Sequence, residues 1–347
     1  VPQNCPSSNW QEVVENGEQE LFEGFAREFE VRQQKNALNT GCPVRRGFHT
    51  KLHTGVVAEF HVLPNLPKEA RFGVFSESQI FPAIVRFSNG EPIPHKDTHP
   101  EPRGIAIKLL GVHGRKLLQG QEDAVTQDFL ATSHSVTSTV RNIRQFMAFI
   151  RAADNRVKLP FALAREIGLA ESMRILTALV KTVLFSKVHS MVTEQYSSTA
   201  PIKLGPFAIK FTIQPSEGTK PTESRFLASN FLRDELADRL RNGDVKLDFL
   251  VQFFIDESRT PIEDTSVAWK PEHSSFVKVA HVLIPQCDLD TPESLTLSET
   301  VDKLSFSPWH SIEEHRPLGN VMRARKIVYL ASSALRGHSP EPTDLPR

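Results

Sequence analysis

From Lys51 the chain settles into a two-residue period. Leu52, Thr54, Val56, Ala58, Phe60 and Val62 alternate with Lys51, His53, Glu59 and His61, which is how a strand with one buried face is written. A slip of one residue would turn that whole apolar set to the wrong side, so the run constrains everything that pairs with it. Residues 82–88 and 102–110 read as two further strands across a Pro- and His-rich loop, and 126–132 as a fourth. Strands return at 206–213, 245–256 and 275–284. Between these groups, residues 139–187 have a helical texture with a break at Pro160, and a charged helix over 225–241 ends at the C-cap signal Asn242-Gly243. The expected class is α+β: an antiparallel β-barrel with helical insertions and helical ends.

The ends set the domain limits. An amphipathic helix over 18–34, with Leu21, Phe22, Phe25 and Phe29 on one side, forms an N-terminal arm spanning 1–45. One main domain covers 46–338 and closes with a helix over 317–335, followed by a loose tail, 339–347. The 41 basic and 41 acidic residues balance, so there is no nucleic-acid footprint. Cys5, Cys42 and Cys287 are too scattered for a disulfide framework or zinc site and suit a reducing, cytoplasmic setting. The longest lipophilic stretch, 159–185, is interrupted by Arg165, Glu166, Glu171, Arg174 and Lys181 and cannot span a bilayer. Its face of Leu169, Ile175, Leu176, Leu179 and Val183 either touches a membrane surface or packs on the domain. Nucleophile-elbow, Walker and dinucleotide-binding signatures are missing.

Candidate chemistry lies at both ends of the main domain. The chain has 23 phenylalanines and only two tyrosines, and Tyr329 stands four residues after Arg325, on the same face of a helix. A tyrosine phenolate is a rare ligand for haem iron and needs a nearby cation; the same pair most often makes only a surface contact. His49, in Arg46-Gly-Phe-His49, shares the parity of Lys51, His53, Gly55 and Val57. On a face turned into a barrel cavity it could exchange protons with a bound peroxide; the alternative is a half-buried histidine bonded to a carbonyl. The pairs His49/His53 and His95/His99 have helical metal-site spacing, but the first lies on a strand, roughly 13 Å apart, and the second in a loop. Neither is expected to hold a metal. Asp123 and Asp128 form either an acid–base pair or two solvated loop carboxylates.

Taken in order, these segments resemble the haem catalase superfamily. Arg46-Gly-Phe-His49-Thr-Lys51, Val85-Arg86-Phe87-Ser88, Pro102-Arg103-Gly104, Phe306-Ser-Pro308 and Arg325-x-x-x-Tyr329 with Arg336 follow one another over residues 46–336. Thr126-Gln-Asp-Phe129 and Tyr329-x-x-Ser332-Ser333-x-x-Arg336 are closer to the smaller catalase-related proteins, which include peroxidases and fatty-acid hydroperoxide enzymes. The resemblance implies a catalase-like barrel, a C-terminal proximal helix and haem b with Tyr329 as the axial iron ligand and Arg325 as its partner. It implies His49 as the distal acid–base group, with Ser88 holding its tautomer. Arg46, Arg86 and Arg336 would hold the propionates and Phe129 would line the distal side. The implied substrate is hydrogen peroxide or a lipid hydroperoxide; allene-oxide-type isomerisation or simple haem binding are the alternatives. Short arms imply a homodimer or monomer.

Three departures stand out. Counting back from Thr126-Gln-Asp-Phe129 puts Ala124 where large catalases carry an asparagine that bonds the peroxide, a role left to Gln127, Thr126 or Thr132. Phe48 is bulky beside His49, and the chain between His49 and Phe60 is one residue longer than in long catalases.

Overall fold

The structure, a computed structural model, describes residues 5–133, 139–153, 158–185, 188–220 and 228–346. The alternating run forms β1 (Leu52–Val62), which pairs antiparallel with β2 (Ile80–Asn89) on one side and, at its far end, with β9 (Val277–Ile284) on the other. The sheet continues from β2 through β3 (Arg103–Leu110) and β4 (Thr126–Thr132) to β5 (Tyr196–Ser197). On the other side β9 leads through β8 (Val245–Phe253) and β7 (Phe207–Pro215) to β6 (Ile202–Leu204). Because β5 pairs with both β4 and β7, eight strands close a barrel and β6 is left on its rim.

The inward face is the one the period predicts: Val56, Ala58, Phe60 and Val62 are buried together. Phenylalanines fill the interior. Phe129 stacks on Phe60 at 6.0 Å between ring centroids and meets Phe211 and Phe249 edge-on at 5.4 and 5.1 Å. His315, in the 3-10 turn Glu313–His315, packs edge-on against Phe75 and Phe129 and accepts a hydrogen bond from the Val74 amide at Nε2. Burial pushes it down to about 3, so it stays neutral.

Helices cover one side of this barrel. The first, α1 (Glu18–Thr40), runs past the expected 34 to a left-handed Gly41. Phe22, Phe25 and Phe29 bury against Ile143 and Met147 of α2 (Ile143–Ala153) and Ala324 and Val328 at the C-terminal end of the chain. The expected helical stretch is three helices, α2, α3 (Leu159–Ile167) and α4 (Leu169–Phe185). Ile175 is buried and Leu176 and Leu179 pack beside it, while Leu169 is exposed; the side chains of Lys181 and Val183 lie outside the described residues. No described helix is long and apolar enough to cross a membrane. The charged helix α5 begins at Phe231 and ends at Asn242, with 221–227 outside the described residues. After α6 (Pro292–Lys303), the last helix α7 (Asn320–Arg336) starts beyond Pro317 because Gly319 takes φ 85°.

Two expectations need correction. The tail is anchored: Glu341 accepts hydrogen bonds from Lys108 Nζ at 2.6 Å and Thr126 Oγ1 at 2.7 Å. Asp128 is no solvated loop carboxylate but a buried partner of Lys108 at 2.8 Å and His310 at 2.8 Å. The placement of Phe129 in the barrel interior makes it a packing residue, so Phe129→Ala should cost about 3–5 kcal/mol of stability. Urea unfolding measures that loss, and an unchanged midpoint would remove Phe129 from the core.

Candidate functional site

An open cavity lies outside the barrel, between the outer face of β2, β3 and β4 and the helices α1, α2 and α7. Its volume is about 230 Å³, and about 1620 Å³ once the open solvent at its mouth is counted. Residues directly paired across antiparallel strands project from the same face, so the barrel wall offers the cavity two rows. One is Arg86, Ala106 and Leu130; the other is Ser88, Gly104, Thr132 and Ser197. The opposite wall is the stripe of α7 that carries Val321, Arg325, Val328, Tyr329, Ser332 and Arg336, whose spacing keeps them on one helix face.

His49 lies over the second row. It precedes β1 and takes φ 56°, an uncommon conformation for a residue with a side chain. Its amide donates to Gly90 O at 2.9 Å and its carbonyl accepts from Arg86 Nη2 at 2.9 Å. Nδ1 meets Ser88 Oγ at 3.2 Å. The ring rests so closely on the sheet that a Cβ at Gly104 would stand 2.4 Å from Nδ1 and 2.9 Å from Ser88 Oγ. His49 therefore reaches the cavity through a left-handed turn, not through strand parity. Gly55, which shares that parity, faces Val301 of α6, and the pairing of β1 with β2 shifts register between Leu52 and Thr54.

Burial, then the charges of Arg86, Arg325 and Arg46, push His49 down to about 3. It is neutral at ordinary pH, and with Nδ1 protonated toward Ser88, Nε2 keeps its lone pair.

Arg46 and Arg86 share one carboxylate, and Arg336 reaches the backbone carbonyl of the same residue, Asp302, at 3.3 Å. Arg46 Nη1 and Arg86 Nη2 reach Asp302 Oδ1 at 2.7 and 3.0 Å, and Arg46 and Arg336 both donate to Leu304 O. Burial followed by the charges of Arg86 and Arg336 presses Arg46 well below its ordinary value. Burial pushes Asp302 up, but Arg86 and Arg46 outweigh it and hold the carboxyl below the usual range. On α7, Arg325 Nη2 donates to Tyr329 Oη at 2.9 Å, with the guanidinium 4.8 Å from the ring centroid.

Thus Arg46, His49, Arg86, Ser88, Arg325, Tyr329 and Arg336 border one cavity, while Phe129 does not. Phe48 meets Phe29 edge-on and Phe146 at a tilt, each with 5.8 Å between ring centroids, and forms an apolar wall. Ala124 is away from the cavity, its amide on Gln121 O. The β4 residue paired with Gly104, on which the His49 ring rests, is Thr132, one of the three alternatives to Ala124. Asp302 was also missed; its proximity to Arg46 and Arg86 depends on α6 packing over β1 and β2. His95 and His99 lie with ring centroids 4.2 Å apart at a tilt, and among the described residues no group of three potential metal ligands occurs.

Two predictions arise here. His49 and His315 are held near 3, against 6.5 once unfolded, so the unfolded chain binds more protons between those values. Stability should fall as pH drops from 6.5 toward 3, seen as a falling urea midpoint; a flat profile would contradict the buried neutral rings. Gly104→Ala should displace His49 and cut any activity needing it by at least tenfold, while far-UV circular dichroism keeps the barrel signal; wild-type activity in that variant would show the ring is not seated there.

No protein-family model matches the chain. It is 28% identical over 272 residues, 74% of this chain and 78% of the relative, to a catalase-related peroxidase of Mycolicibacterium paratuberculosis. Among solved structures it is similar to a fungal catalase (TM-score 0.65, 15% identity, 87% of this chain and 62% of that one). It is also similar to catalase A from Saccharomyces cerevisiae (TM-score 0.65, 14% identity, 96% of this chain and 68% of that one). The chain thus spans little more than three fifths of the fungal enzyme. The barrel and its helical cover are the catalase fold.

Proposed function

We propose that this chain, a member of the catalase superfamily, is a haem-dependent peroxidase that cleaves hydrogen peroxide and organic or fatty-acid hydroperoxides. One observation carries the reading: His49 and the Arg325–Tyr329 pair, far apart in sequence, border the same cavity. The name of the Mycolicibacterium relative supports it.

The residues fit haem b. Three guanidiniums around a single carboxylate leave positive charge in excess, suited to two propionates. Arg325 Nε and Arg336 Nε are buried without a partner, and such donors are costly unless a ligand meets them. Tyr329 would bind the iron through its phenol oxygen, with Arg325 placing positive charge beside it. Bound there, the haem supplies the redox-active iron that peroxide cleavage needs.

The protein's own part is proton handling and substrate selection. His49 Nε2 takes the proton from the hydroperoxide and returns it to the departing oxygen, while Ser88 fixes the ring. Arg86 holds the His49 carbonyl and Asp302 at once, so the proton acceptor and the anion clamp are tied together. Phe29, Phe48, Phe146 and Ile143 line the cavity with apolar surface, which favours an organic substituent on the peroxide.

Reconstitution with haem tests this. Wild type should develop a Soret band and turn over cumene hydroperoxide. His49→Ala should keep the band and lose roughly 10²–10⁴-fold in turnover, and Tyr329→Phe should lose or shift the band. Full turnover in His49→Ala would remove it from the mechanism. An unchanged spectrum in Tyr329→Phe would remove the axial assignment.

A further inference from the structure

We propose that the outer face of the packed pair α3 and α4 docks on an anionic lipid surface. The inner face of the pair is accounted for. Leu163 and Ile175 are buried with Val140, Ala148 and Ala152, and Leu159, Leu176 and Leu179 pack beside them. A second apolar stripe remains on the other side of α4. Leu169, Met173 and Val180 recur at helical spacing and are 72%, 56% and 56% exposed, and Phe161 of α3 is 80% exposed. Thr177 lies on the same stripe, but its hydroxyl donates to Met173 O at 2.7 Å, so its proton is already placed. Single exposed apolar residues are ordinary. Four on two adjoining helices make a patch, and a patch marks a binding face.

The charges around the patch select its partner. Lys158, Phe161 and Arg165 follow one another at spacings of three and four and are all exposed, so two cations flank the ring on one face of α3. The carboxylates of the pair are each held by arginine. Glu166 Oε2 stands 3.6 Å from Arg151 Nη1, and Glu171 lies 2.8 Å from both Arg141 Nη2 and Arg174 Nη2. The outer face is therefore apolar and basic together. Such a face settles where headgroups meet acyl chains, with its cations among anionic phosphates. A second copy of the chain suits it less, because pairing about a two-fold axis brings the same patch to itself. That would gather Lys158 and Arg165 of both copies around one apolar contact, and like charges repel. Docking here also fits the substrate read above. Phe146 of α2 packs against the inner cluster of the pair and borders the cavity, so one helix separates the docked face from the place where an organic hydroperoxide binds.

The test uses the full chain and measures no turnover, so its failure leaves the peroxidase reading standing. Vesicles of phosphatidylcholine alone, and vesicles with about one third phosphatidylglycerol, are floated through a density gradient with each protein. The proteins are wild type, the double variant Leu169→Ser with Met173→Ser, and the double variant Lys158→Gln with Arg165→Gln. Wild type should rise with the phosphatidylglycerol vesicles and should bind pure phosphatidylcholine at least about tenfold more weakly. Each double variant should lose on the order of tenfold in affinity for the anionic vesicles. The four substituted side chains are exposed, so urea midpoints should stay at the wild-type value. Wild type that does not float, or a serine variant that floats as wild type does, would overturn the proposal. Equal binding to both lipids would overturn it as well, because charge would then select nothing. So would a wild-type dimer in analytical ultracentrifugation that the serine variant dissociates, a result that would assign the patch to a second copy of the chain.

Discussion

The missing side chain at Gly104 is the constraint on which the site is built. The imidazole of His49 can lie against the barrel wall only because nothing projects from that point; a single carbon there would collide with Nδ1 at 2.4 Å. Once the ring rests on the sheet, the pleat decides its neighbours, because the residues paired with Gly104 on β2 and β4 leave the same face. The left-handed backbone of His49 is held at both ends, by Gly90 O on its amide and Arg86 on its carbonyl. Strain of this kind persists only where the surroundings over-determine it, and here they do.

Arg86 extends that constraint into the electrostatics. The guanidinium that grips the His49 carbonyl also binds Asp302, which Arg46 shares. Burial, and then the charge of Arg86, lowers the proton affinity of both Arg46 and Arg336. Asp302 offsets part of this. The remainder favours an anion in the cavity. Proton transfer to His49 is disfavoured by the same field, so the charges that favour an anion in the cavity also help to keep the imidazole unprotonated.

Much of this was legible in the residues. The alternation of Val56, Ala58, Phe60 and Val62 marks the barrel interior, and the four-residue step from Arg325 to Tyr329 becomes a 2.9 Å hydrogen bond on α7. These succeed because each depends on a local period. The errors share a different cause. Phe129 sits at an inward position of β4 and Thr132 at an outward one, but which side of a closed sheet faces a cavity is a tertiary fact. The chamber lies outside the barrel, walled by α1, α2 and α7, and nothing in a strand's period says that its polar face will be covered. The parity of His49 fails for a related reason: one left-handed residue and a register shift at Leu52–Thr54 break the count.

The tail shows how charge can order a segment that composition leaves undefined. Lys108 points from β3 into a fully buried place where burial alone would drive off its proton. Asp128 answers that charge, but the same carboxylate also accepts from His310 and the Ser307 amide, in the segment that leads to α7. Glu341 brings a second carboxylate to Lys108, and the two acids together hold the ammonium above its ordinary value. A buried charge left short of partners is far more costly than the ordering of a few residues, so the chain end is drawn in. Asp128 then holds both the lysine of the barrel wall and the approach to the helix that carries Tyr329.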